Sequence, residues 1–204
     1  MGCIRKIFQI LILALALIGF TSIGGKDFLV QQYENYFGTS KESTMERASK
    51  LGDFSALSDE FEIDKAASAF GYKGVLAEHN ASGQKMLIID SGKKPILTED
   101  DFENDRVEEK INALIKKFKY QSSLQVDDFT ITKKGTMNAY GEKVPYVKFT
   151  AKINKLPLGT VGGVISAIDV TPDESRTLIS LNENKKYSQL ITNEFFSKVK
   201  LNNK

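Results

Sequence analysis

The sequence predicts an α+β fold: an antiparallel sheet flanked by a central and a C-terminal helix in an α/β/α sandwich, preceded by an N-terminal signal or membrane-anchor helix. Three observations predict it. Strand-like patterns come in blocks, at 74–90 and again at 126–181, and do not alternate one for one with helices, so parallel crossover units are not expected. Amphipathic helical patterns stand between those blocks and after the last one. The length, 204 residues with 41% hydrophobic and 26% charged side chains, suits one ordinary folding unit plus an appendage. Only one apolar run exceeds about 15 residues, which excludes a polytopic membrane protein. With Gly 15, Pro 4 and Cys 1, the composition also excludes collagen, low-complexity chains and disulfide scaffolds.

Arg5 and Lys6 precede the apolar run at 7–20, and small residues follow it at 21–25. Ser22 and Gly24 suit positions −3 and −1 of a signal-peptidase site, so residues 1–25 read as a leader cut after Gly24. The other reading is an uncut anchor. Residues 7–23 just suffice to span about 30 Å of hydrocarbon. Basic residues before the run, and no basic cluster directly after it, place the body outside in both cases. Cys3 lies before the run, where it suits palmitoylation better than a lipoprotein linkage. Past it the chain holds no cysteine, and so no disulfide, thiol nucleophile or cysteine-based metal site.

Residues 26–60 read as a helical linker. Phe28, Leu29, Tyr33, Tyr36 and Phe37 share one helical stripe, and these aromatics suit either a bilayer interface or packing on the domain. A polar stretch at 41–51, opened by Ser40 and stopped by Gly52, is too short and too polar to hold as an isolated helix. The α+β domain is assigned to 61–204. Two apolar runs, 74–79 and 85–90, joined by Asn80-Ala-Ser-Gly83, read as a β-hairpin, because Asn and Gly supply left-handed positions. Thr98 opens the central helix, with Asp101 placed for a capping box. Glu99, Asp100, Asp101, Glu103 and Asp105 gather at one end and Lys116, Lys117 and Lys119 at the other, complementing the helix dipole. Phe102, Val107, Ile111, Leu114, Ile115 and Phe118 form its apolar stripe.

Strands follow at 126–132, 144–153, 160–170 and 177–181. In the second, Val147, Phe149, Ala151 and Ile153 alternate with Lys148, Thr150 and Lys152, one face buried and one wetter. Pro145 marks an edge or a strand end, and Pro172-Asp173-Glu174 a turn. The last helix spans 185–199, with Tyr187, Leu190, Ile191 and Phe195 inward and Phe196 or Val199 at the margin.

This order of elements, with 177–181, 186–191 and Phe195-Phe196 at its end, resembles the PsbP-like and DcrB-like group over about residues 70–200. The resemblance is one of element order, not of a diagnostic motif. It implies an α/β/α sandwich used mostly as a non-catalytic accessory or envelope domain, and it brings no functional residue with it.

Charge adds a further expectation. The chain carries net +2, and removing Arg5 and Lys6 leaves 26 basic and 26 acidic residues. Residues 26–110 are net −7 and 111–204 net +7, which interleaving of the halves would neutralise. A neutral body without a basic run of four argues against nucleic acid.

Few residues carry chemistry. His79, the one histidine, sits beside Glu78 at the hairpin turn. With Asp90 they form a candidate acid–base set, although about 17–20 Å separates the ends of such a hairpin. The plainer reading is a turn histidine bonded to backbone or solvent. The acidic stretch 98–105 lacks EF-hand spacing, and the dipole already accounts for it. Gly159-Thr-Val-Gly-Gly163 is not a phosphate loop, because strand follows it, and the glycines read as a bulge or a close approach. Ser166, Ser180 and Ser188 lie outside any Gly-x-Ser-x-Gly motif. Asn80-Ala-Ser82 is a turn more than a glycosylation site. No catalytic residue, no metal ligand and no cofactor is assigned. The function expected is an exported, non-enzymatic accessory or binding domain at the outer side of a bacterial cytoplasmic membrane. It would hold the membrane through residues 7–23 if uncut and have a protein as its partner. The alternatives are a small-ligand or lipid carrier, and a hydrolase-type enzyme using His79 with nearby carboxylates.

Overall fold

The computed structural model describes residues 41–69, 72–92, 94–119, 126–153, 160–171 and 174–202. The expected leader or anchor at 1–25, the expected aromatic stripe at 26–40, Cys3, Gly159, the side chain of Phe118 and the turn expected at Pro172-Asp173 lie outside the described residues. Among the described residues no helix is long and apolar enough to cross a membrane.

Helix α1 (Lys41–Ser49) leads into strands β1 (Phe61–Ala69), β2 (Tyr72–His79) and β3 (Lys85–Asp90). Helices α2 (Glu99–Glu103) and α3 (Val107–Lys119) follow. Strands β4 (Val126–Ala139), β5 (Glu142–Ile153), β6 (Thr160–Thr171) and β7 (Glu174–Glu183) and helix α4 (Gln189–Lys198) complete the chain. The strands form one sheet in the order β1-β2-β3-β7-β6-β5-β4, with every neighbour antiparallel. The chain lays down β1–β3 as a meander, crosses over the sheet through α2 and α3, and returns as a second meander whose last strand zips onto β3. The fold class is therefore the α+β sandwich that the blocked strand pattern implied.

Alternation along the strands feeds two cores. On one face Val75, Ala77, Met86, Ile88, Val164, Ile168 and Leu178 pack under α1 and α4, against Ala48, Leu51, Phe54, Phe195, Phe196 and Val199. On the other, Val147, Phe149, Ala151, Ile165 and Ala167 pack under Leu97, Phe102 and Val107. Leu76, Leu87 and Ile89 extend that second face beneath Ile96. Because helices cover both faces, residues 161–168 of β6 are buried without a break, and the expected wet face is confined to the outer strands.

Several expectations are corrected. The 26–60 segment is no mere linker from residue 41 onward. Ala48, Leu51 and Phe54 lie in the first core, which is how so polar a helix is held. The central helix is two helices. Asp105 adopts left-handed backbone (φ 56), which Asp tolerates better than most residues, and the Arg106 N–H turns back to the Asp101 carbonyl at 2.8 Å. The strand expected at 126–132 runs on to Ala139, and a two-residue turn, Tyr140-Gly141, reverses it (φ 55 and 84). In the last helix Leu190 points outward, 80% exposed, while Thr192, Phe195 and Phe196 face in. The acidic and basic halves do not interleave in the sheet: β1–β3 form one side and β4–β7 the other. Only the helices cross, acidic α2 lying over β5 and β6.

Pro145 lies inside an interior strand, yet the β5–β6 register begins at Tyr146↔Ser166. Its missing N–H falls just beyond that ladder, where no bond is needed.

Candidate functional site

The structure separates the three residues of the acid–base candidate. His79 is buried at the hairpin turn. Its Nδ1 accepts the Ser82 N–H at 3.2 Å and lies 3.0 Å from the Ser82 hydroxyl, while its ring meets Phe61 edge-on at 5.2 Å. Glu78, the next residue on the strand, points to the opposite face and pairs with Lys85. Asp90 stands at the far end of the hairpin, paired with Lys73 at 2.7 Å and accepting the Gly92 N–H at 2.7 Å. The histidine thus does the work of a turn residue, and Gly83 (φ 68) closes that turn.

Polar side chains that the sequence did not single out build the inner face. Gln84, fully buried where β3 begins, shares its two Nε2 protons among Ser180 Oγ (2.9 Å), Thr192 Oγ1 (3.0 Å) and the Ser188 carbonyl (2.9 Å). Its Oε1 accepts the Ser188 N–H at 2.8 Å. The start of α4 is therefore capped from the sheet by a residue more than a hundred positions away. Tyr187 joins through Thr192 at 2.9 Å, and burial pushes its phenol up to about 12 against the hydrogen bond from Thr192.

At the other end of this face the Leu51 carbonyl accepts from both Tyr140 OH (2.7 Å) and Arg176 Nη1 (2.6 Å). The Arg176 guanidinium stacks over the Tyr140 ring at 5.1 Å and bonds Glu174 at 3.1 Å. Burial drives the Tyr140 phenol up to about 12, although the neighbouring guanidinium pulls the other way. This clasp ties the end of α1 to the sheet, and it explains why a tyrosine is held in left-handed backbone at the hairpin tip. A signal for it existed: Gly141 between two β-patterned stretches marks a two-residue turn.

The acidic stretch 98–105 is also structural. Asp101 is fully buried and accepts from Thr98 N (2.9 Å), Thr98 Oγ1 (3.0 Å), Arg106 (3.2 Å) and Lys110 (2.7 Å). Burial works to raise its carboxyl, but the bonds from Lys110 and Thr98 outweigh it and leave the group below 3.8. Asp100 pairs with Arg106, and Asp105 with Lys134. These acids therefore do more than balance a dipole. In β6, Gly163 lets the ring of Phe149 lie across the strand: a side chain there would overlap the Ser180 carbonyl and sit 2.9 Å from that ring. This is the close approach read from the glycines. Among the described residues no three His, Cys, Asp or Glu converge as metal ligands.

One cleft among the described residues, of about 340 Å³, lies between the end of β4 and α4. Thr136, Met137, Asn138 and Lys143 line it from the hairpin, and Asn193, Glu194 and Ser197 from the helix. Except for Met137 these side chains are exposed. They offer amide and hydroxyl groups at an outer edge of the sheet.

No protein-family model matches the chain, and no curated protein matches it. Among solved structures the chain is similar to the solution structure of cyanobacterial PsbP (CyanoP) from Synechocystis sp. PCC 6803. The two are 9% identical, the similarity covers 74% of this chain and 99% of that one, and the TM-score is 0.35. At this identity and TM-score the likeness transfers no function.

Proposed function

We propose that this chain is an exported, non-enzymatic accessory or binding domain at the outer side of a bacterial cytoplasmic membrane, tethered by residues 7–23 or released after cleavage, with a protein as its partner. The observation that carries the binding reading is the division of labour among polar groups. His79, Asp90, Asp101, Tyr140 and Arg176 are spent on holding turns, helix starts and the α1 clasp. The cleft beside β4 instead gathers exposed amide, hydroxyl, amine and carboxylate groups. Export rests on the basic-then-apolar leader. A hydrocarbon carrier suits the molecule less well, since a polar-walled cleft rewards hydrogen-bonding groups over acyl chains.

The experiment joins topology to catalysis. In cells producing the full chain, protease added outside the cytoplasmic membrane should digest the body, and the mass of the purified protein reports whether the leader is retained. Recovery of the intact chain from cytosol would overturn the export reading. Turnover of a substrate by the purified protein that vanishes in His79→Ala would overturn the non-enzymatic one.

A further inference from the structure

Strand β4 ends the sheet, with β5 as its only strand neighbour among the described residues. Its first part is bulged, with register shifts between Asp127 and Thr130 and between Ile131 and Lys133. From Lys133 to Ala139 the pairing is regular, seven residues or about 24 Å of straight edge. Thr136 faces Pro145 in this register, and the Pro145 carbonyl is turned toward β6, where Ser166 Oγ donates to it at 2.6 Å. Thr136 and Pro145 are therefore a non-hydrogen-bonded pair, and Thr136 presents its own N–H and C=O outward. By alternation Lys134 and Asn138 do the same. Among the described residues no backbone hydrogen bond meets this row, which adjoins the α4 cleft.

The charge along the row has one dominant sign. Lys133, Lys134 and Lys143 are exposed, and Lys133 stands directly opposite Lys148, a like-charged cross-strand pair that disfavours the isolated sheet. Lys148 rests over the Tyr187 ring at 5.2 Å, and Lys134 pairs with exposed Asp105. The acids nearby are Glu142 in the hairpin end and Glu194 across the cleft; Asp127 and Asp128 lie past the bulges.

From this geometry we infer that the 133–139 edge of β4 is a docking site for an acidic, extended peptide segment of a partner protein, which adds to the sheet as an eighth strand beside α4. The inference rests on the binding-domain reading and names the surface and the chemistry of its partner. Strand addition satisfies the outward backbone groups, and acidic side chains relieve the lysine row. The same lysines repel a second β4 edge, so the site rejects self-pairing while accepting an acidic strand. The acids of the opposite edge, Glu62 and Asp64, sit at a bulge in β1, where a regular ladder is broken, so a second copy of the chain fits poorly. A lipid headgroup supplies anions but no backbone for the edge.

The test titrates the full chain with a blocked eight-residue peptide alternating Glu and Thr, and with its Lys–Thr counterpart. The Glu peptide should bind and the Lys peptide should not. Lys133→Glu with Lys143→Glu should weaken binding at least tenfold through charge. Thr136→Pro should do the same by removing one outward N–H with no change of charge, and its melting should match the parent, because an edge strand tolerates proline. Undiminished binding by Thr136→Pro would overturn strand addition. Equal binding of both peptides, binding of anionic phosphatidylglycerol vesicles without the Glu peptide, or a wild-type dimer that Thr136→Pro dissolves would each overturn the proposed occupant. If the peptides fail while the body is exported and His79→Ala is silent, the edge inference falls alone and the broader function stands.

Discussion

Replacing Gln84 by leucine tests whether the buried polar network or the apolar core holds α4 in place. Leucine nearly matches glutamine in volume, so cavity formation is small and the loss is electrostatic. Four of the network's groups keep partners. Ser180 and Thr192 remain 2.9 Å apart, Tyr187 still reaches Thr192, and the Ser188 carbonyl keeps the Thr192 hydroxyl at 3.2 Å. The Ser188 N–H, bonded only to Gln84 Oε1, is left with none. One orphaned donor costs about 1–3 kcal/mol, and each remaining bond contributes about 0.5–1.5 kcal/mol net. Ser188 is half-buried and partly open to water, so the expected loss is about 2–3 kcal/mol, or roughly 4–12 °C in melting temperature for a domain of this size. Urea unfolding followed by circular dichroism measures it, and amide exchange should accelerate first at 189–192. Gln84→Glu sharpens the test. A carboxylate there has no proton to donate to Ser180, Thr192 or the Ser188 carbonyl, so this variant should gain stability relative to wild type as pH falls and its carboxyl protonates. A loss below about 1 kcal/mol for Gln84→Leu, with unchanged exchange at 189–192, would refute the view that the sheet caps this helix.

Three further expectations concern other parts of the fold. Gly163→Ala should cost at least about 2 kcal/mol, because the new methyl meets a backbone carbonyl and an aromatic ring; Gly162→Ala should cost less, since its nearest obstacle is the end of the Asn184 side chain, and paired denaturation curves decide. Tyr140 has a folded-state pKa of about 12 against 10.0 unfolded, so its contribution is intact below pH 10 and is lost as pH climbs toward 12, an effect of order 2–3 kcal/mol that Tyr140→Phe should remove from the alkaline stability profile. Asp101 is held below 3.8, so its contribution is complete above its unfolded pKa and is lost as pH drops through the folded one; Asp101→Asn should lower stability at pH 7 and flatten the acid limb of the unfolding curve.

Local patterns made much of the fold legible. The 74–90 hairpin, the alternation at 147–151 and the capping pair Thr98–Asp101 were readable because period, turn residue and cap are short-range signals. The outward turn of Leu190 was not. One face of α4 is chosen by the sheet beneath it, and neither Ile191 nor Leu190 carries a local sign of which way to point. Arg176 and Gln84 looked like ordinary polar residues of strand ends, because their partners, Leu51 and Ser188, lie far away in sequence. The edge of β4 is likewise hidden, because charge and glycine at Lys133-Lys-Gly135 mask the continuation of the strand past Thr132.

By itself, the order of residues determined the class of fold, the positions of most strands, the lack of cysteine chemistry beyond Cys3 and the expectation of export, since each depends on composition or on spacings of a few residues. Tertiary structure alone decided that β7 zips onto β3, that α1 belongs to the core, that the charged residues at 73, 90, 101 and 176 are structural, and which strand is left at the edge. Those outcomes follow from contacts between segments far apart in the chain, whose free energy comes from shared burial and paired polar groups and leaves no periodic trace in either segment alone.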